Sequence, residues 1–208
     1  MINELRNPEK DKQTALGQVA RIVRIVTVPP LMVAAILTLL WFQSPALFTA
    51  PSELFLSQCF LALFPILAYP LSYAIPAIRR KGRDGQRSLA MSLSAAGYLS
   101  AVLYGILAHC TEELRIIHLT YLLSVVLLLV LNKVIRVRAS GHACSVSGPI
   151  LLLCLYVGTV GAITGVLLWT VIFWASLRGK HHTPKEYLIG SGVPIVAYML
   201  SYLVYMLV

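Results

Sequence analysis

Polar residues in this chain gather into three short islands, and the stretches between them are almost wholly apolar. The apolar runs cover about 22–42, 54–78, 88–108, 116–132, 143–175 and 187–208. A membrane span needs roughly 20 mostly apolar residues, so all but the fifth run have the size of one helix. The fifth is too long for one span. Gly158, Gly161 and Gly165 are expected to break it into a tight helical hairpin with short arms. Pro29 and Pro30 should kink the first run or mark its start, because proline lacks the amide a helix needs. Pro65, Pro70 and Pro76 lie inside the second run, where neighbouring helices must satisfy the carbonyls they free. The third run carries Ser92, Ser94, Ala95, Ala96 and Gly97; such small residues let backbones approach closely, which predicts a central helix. The Leu/Val-rich fourth run is expected to face lipid. The pattern predicts an all-α, polytopic membrane helix bundle of six or seven transmembrane helices. Residues 1–20 form a polar tail, and 21–208 a single membrane domain.

Composition strengthens this reading. Of 208 residues, 58% are hydrophobic and 12% charged, against about 25% charged in a soluble domain, and mean hydropathy is +0.80. No stretch is left for a separate soluble domain. The N-terminal residues lack the compact apolar core and small-residue cleavage site of a signal peptide, so the first span is expected to be retained. The net charge of +9 fits cytoplasmic loops that collect cations, or an anionic partner. Nucleic acid is excluded as that partner, because the cations lie in short loops and form no groove. Cys59, Cys110, Cys144 and Cys154 contain no CxxC pair and read as small apolar residues.

The islands are RRKGRDGQR at 79–87, RVRASGH at 136–142 and SLRGKHHTPKEYLIG at 176–190. Two spans separate the first from the second, and two more the second from the third. All three therefore fall on one membrane face, with the turn holding Glu112 and Glu113 on the other. Topology explains cations there, but it does not ask for three of the five His. In a helical start His182 and Glu186 stand at i and i+4 and share a face, where a carboxylate orients an imidazole and stabilises its charged form. Arginine forks grip phosphate oxygens. Arginines, two separated histidines and a carboxylate suit phosphoryl transfer, in which positioning and charge stabilisation dominate.

The same residues resemble the membrane type 2 phosphatidic acid phosphatase family, which shares its core with vanadium haloperoxidases. That family has Lys, six residues, Arg-Pro; then Pro-Ser-Gly-His; then Ser-Arg, five residues, His, three residues, Asp. Ala139-Ser140-Gly141-His142 matches the second part except for its Pro. His182-Thr-Pro-Lys-Glu186 matches the end of the third with Glu for Asp, and Gly190 stands where the family has a glycine. The expected Arg of the third part is absent at Ser176, with Arg178 two residues on. In the first part Arg80 and Arg87 keep the separation, with Arg for Lys and Ser88 for Pro, and Lys81 is one residue away. The resemblance covers about 79–192.

It implies a metal-independent hydrolase without cofactor, acting on a lipid phosphate or polyprenyl diphosphate in the cytoplasmic (inner) membrane of a bacterium. His182 would be the nucleophile, Glu186 its orienting carboxylate, and His142 the acid and then the base. Arg80, Lys81, Arg87, Arg138, Ser140, Gly141 and Arg178 would hold the phosphate. Positive-inside places this face in the cytoplasm, whereas the family's site usually faces outward.

Other readings stand beside this one. An inactive relative would bind anionic lipid head groups through the same islands. An anion transporter is a third, though no charge sits mid-span. A zinc site of His142, Cys144, His181 and His182 lacks regular ligand spacing. His181 is expected to be a loop residue, and His109 and His118 interfacial on the opposite face. Trp41, Trp169 and Trp174 read as interfacial anchors, and Tyr198, Tyr202 and Tyr205 as a packing stripe.

Overall fold

The computed structural model describes residues 15–178 and 183–207. Nine helices are present among the described residues. They are α1 (Ala15–Val26), α2 (Pro29–Gln43), α3 (Pro51–Ala74), α4 (Pro76–Arg80), α5 (Gly82–Leu107), α6 (Glu112–Val134), α7 (Gly141–Tyr156), α8 (Gly158–Arg178) and α9 (Pro184–Leu207). Five of them, α3, α5, α6, α8 and α9, are long and apolar enough to cross a membrane, and the α1–α2 pair makes a sixth if it is one bent span. The chain is an all-α bundle of membrane-spanning character.

The first apolar run is not one straight helix. α1 and α2 meet at 60°. Pro29 and Pro30 occupy the first two positions of α2, where their missing amides cost nothing, and the Thr27 hydroxyl closes α1 by donating to the Val23 carbonyl at 2.7 Å. α3 is interrupted too. A π-helical turn at Cys59–Leu63 precedes Pro65, whose ring denies a partner to the Leu61 carbonyl.

The hairpin expected from 143–175 is there, with one break instead of three. The chain reverses at Gly158, whose φ of +67° is the left-handed conformation that favours glycine. Gly161 and Gly165 lie inside α8, which has 21 residues and is no short arm. They bring α8 close to α7: a Cβ on Gly161 would strike the Leu153 carbonyl, and one on Gly165 would come within 2.5 Å of Cys154 Sγ.

Centre and periphery are exchanged relative to expectation. Only 17% of the α5 apolar window is buried, against 50% of α6. The small residues Gly97, Ala101 and Gly105 of α5 form one buried stripe against the α3 π turn and α6, and much of the remaining surface of the helix is exposed or half-exposed. Leu and Val pack equally well against protein or lipid, which is why α6 can be internal. α7, only 16 residues long, is the most enclosed element: Ala143, Val146, Pro149 and Leu152 are all sealed within it. It packs on α2, α6, α8 and α9.

The two ends of the bundle can be told apart by their ties. At one end, Ser44 Oγ donates to the Tyr156 carbonyl at 2.9 Å and Thr111 Oγ1 to the Leu47 carbonyl at 2.7 Å. There His109 is exposed on the turn, with φ of +50°. His118 is not interfacial: it is fully buried, with Nε2 2.9 Å from Ser57 Oγ. Trp169 packs inside the bundle as well. It stacks on Phe173 at 5.1 Å, packs against Tyr187 at 6.1 Å, and donates Nε1–H to Ser191 Oγ at 3.1 Å. This aromatic knot clamps α8 to α9 at the other end, where the three islands lie.

Candidate functional site

The site is organised around the corner at Ser140. Ser140 precedes α7 and caps it: its Oγ accepts the Ala143 amide at 3.2 Å, as expected of a serine N-cap. The cap uses a lone pair of the hydroxyl and leaves its proton to donate. Because a helix start exposes amides without partners, the backbone of Gly141 presents a donor here. The Ser140 amide in turn donates to the Glu186 carbonyl of α9 at 2.9 Å. Gly190, one turn further along α9, faces the same corner, and a Cβ there would collide with the Ser140 carbonyl. These contacts bring the second and third islands together backbone to backbone. His142, in the first turn of α7, is half-buried beside them.

The chain reaches Ser140 through a built loop. α6 ends in a π-helical turn, Val130–Val134, and Arg136 follows with φ of +60°, a conformation costly for a side chain-bearing residue. Asn132 closes the loop. Its amide group donates to the Leu128 carbonyl at 2.9 Å and to the Ala139 carbonyl at 3.2 Å, while its Oδ1 accepts the Ala139 amide at 3.1 Å. Arg136 and Arg138 project from this closed loop into solvent.

Glu186 sits in the first turn of α9. Its Oε2 accepts the Thr183 amide at 3.1 Å, and its own amide donates to Thr183 Oγ1 at 3.2 Å. This is a capping box, followed by Pro184 as the first helical residue. The carboxylate thus has a local role that spacing arguments for a histidine partner did not anticipate. His182 and His181 lie outside the described residues. Arg178 ends α8, with its guanidinium 5.9 Å from the Trp174 ring.

The first island forms the corner between α4 and α5. Gly82 turns it with φ of +55°, and Gly85 seats α5 against α4, leaving 2.5 Å between a built Cβ and the Ile78 carbonyl. Arg80, Lys81 and Arg87 are exposed. Arg87 lies one turn before Met91, which packs in a cluster with Ala139, Cys144 and Val193. Arg87 thus lies at the same end of the bundle as the Ser140 corner. Arg80 and Lys81 immediately precede the Gly82 turn.

Below this end a cavity of about 130 Å³ opens between α2, α3, α5 and α7. Pro65 and Tyr69 wall one side, Ala90 and Ser94 another, and Ser145 reaches it from α7. Ser145 follows His142 by three residues, hence on the same helical face. The bowing of α3 at its π turn and prolines leaves this gap.

No family model matches the chain, and neither does any curated protein or solved structure. The site must stand on its own residues. Sequence reasoning passed over Asn132, although an Asn closing an apolar helical run is a stop signal. It also passed over the Thr183–Glu186 box, legible as Thr-x-x-Glu ahead of an apolar run.

Proposed function

We propose that this chain is a membrane lipid phosphatase that removes phosphate from a lipid phosphate or polyprenyl diphosphate. The observation that carries this is the Ser140–Glu186 backbone bond at 2.9 Å. It joins the two islands holding the histidines and carboxylate of the proposed chemistry. In the reaction, a His182 ring nitrogen attacks phosphorus as the bond to the leaving oxygen breaks, and His142 gives that oxygen a proton. Water, losing a proton to His142, then attacks the phosphohistidine. The P–N bond breaks and inorganic phosphate leaves. Arg87, Arg138, Arg178, Ser140 and the Gly141 amide stabilise the charge on the phosphoryl oxygens, with Arg80 or Lys81 assisting. The cavity beneath the corner suits the hydrophobic chain of such a substrate.

Release of inorganic phosphate from phosphatidic acid and polyprenyl diphosphate by purified protein in EDTA tests the reading. Turnover that orthovanadate inhibits and His182→Ala abolishes is expected. A protein that binds these lipids without turnover takes the second reading, a head-group binder. The exposure of Arg79, Arg80, Lys81 and Arg83 together at one corner favours that alternative.

A further inference from the structure

We infer that Asn132 is a positioning residue for phosphate binding: it holds the basic loop in the shape that presents Arg138 and the Ser140–Gly141 corner to one phosphoryl group. The inference rests on the phosphatase reading and adds to it a residue that contacts no substrate.

A flexible loop carrying Arg136 and Arg138 would spread its cations over many conformations. Gripping one phosphate would then cost the entropy of ordering them. Here that ordering is built in. The Asn132 side chain pairs with both the amide and the carbonyl of Ala139, as a neighbouring strand would. Its third bond goes to the Leu128 carbonyl, one turn back in the helix. The polarity of the side chain is fixed by its partners: two carbonyls require the NH₂ and one amide requires the oxygen. Only a carboxamide satisfies all three. A further backbone bond, from the Val137 amide to the Leu131 carbonyl at 2.9 Å, lies inside the loop that Asn132 closes. The strained Arg136 φ of +60° marks a loop held from outside, since strained residues persist where their surroundings over-determine them. Ala139 is the residue next to Ser140, so the grip of Asn132 passes to the corner through one peptide unit. The ligand is the phosphoryl dianion, either free or as a lipid head group.

Limited trypsin digestion tests this in the full-length protein in detergent. Cleavage after Arg136 and Arg138 is compared with cleavage within 79–87 in the same digest, which reports any general loosening. Asn132→Ala should raise that ratio at least tenfold. Asn132→Asp should raise it too, because its carboxylate would face two carbonyl oxygens, and it serves if the alanine variant does not fold. Asn132→Gln, with the same groups on a longer arm, should fall between. Orthovanadate, or phosphatidic acid in mixed micelles, should slow cleavage after Arg138 in the parent and not in Asn132→Ala. Protection by vanadate identifies the free anion as sufficient; protection by the lipid alone identifies the head group as the ligand. An unchanged ratio in the variants, or equal protection of variant and parent, overturns the positioning role while the phosphatase reading survives. A parent that neither ligand protects overturns both.

Discussion

The amide of Ser140 donates to the carbonyl of Glu186, 46 positions further along the chain, at 2.9 Å. No side chain is needed for this contact. It depends instead on how closely α9 passes the corner before α7, and Gly190 sets that distance.

Gly190→Ala should therefore separate the two islands. The added methyl would meet the Ser140 carbonyl, and overpacking of this kind costs about 1–3 kcal/mol. Turnover should fall at least tenfold with a lower thermal midpoint. Gly192→Ala is the control, since nothing lies within 4 Å of its built Cβ. It should be neutral or stabilise by up to about 1 kcal/mol through helix propensity.

Glu186 combines two roles that one pair of substitutions separates. Glutamine serves at the third position of a capping box as glutamate does, so Glu186→Gln should leave the thermal midpoint nearly unchanged. Losing the charge should still lower turnover by roughly two to four orders of magnitude, by analogy with the orienting aspartate of serine proteases. Thr183→Ala should do the reverse, costing about 1 kcal/mol of stability with a smaller effect on rate. A Glu186→Gln enzyme of full activity would reduce Glu186 to a cap.

The shared face can be checked by labelling. Cysteines introduced at Arg83, Arg136 and Lys185, all exposed, should react with an impermeant thiol reagent from one side. One at Glu112 should react from the other. Background from Cys110 should be low, because burial and the neighbouring Glu53 carboxylate push its thiol up to about 11, leaving little thiolate at neutral pH. Labelling of positions 83 and 136 from opposite sides would contradict a common site.

The cavity makes a prediction about chain length. Ser94→Trp should fill much of the roughly 130 Å³ gap. It should raise KM for a long-chain lipid phosphate several-fold more than for a dibutyryl analogue. Equal effects on both would place the chain elsewhere.

The grouping of the islands was legible because polar loops interrupt apolar runs, and counting runs fixes parity. The Ser-Gly-His stretch was singled out as a motif beside a span, but the capping role of Ser140 came only with the structure. Which helix lies inside was not. Gly97, Ala101 and Gly105 of α5 give it one buried stripe and not a central place, and no composition tells an internal Leu/Val helix such as α6 from a lipid-facing one. His118 was placed at an interface because its partner Ser57 lies 61 positions away. Asn132 escaped notice for a similar reason: its bonds reach Ala139 around a loop whose closure only the fold displays.

The central claim is that phosphate passes through His182. A rapid-quench experiment with a lipid phosphate carrying radiolabelled phosphorus tests it most directly, with EDTA present and the protein separated in alkali. The account predicts a protein-bound label that is stable to base, lost in acid, absent in His182→Ala and retained in His181→Ala. Label on His181 instead would move the nucleophile by one residue. An active enzyme that forms no such adduct, or that keeps full turnover in both His182→Ala and His181→Ala, would contradict the mechanism.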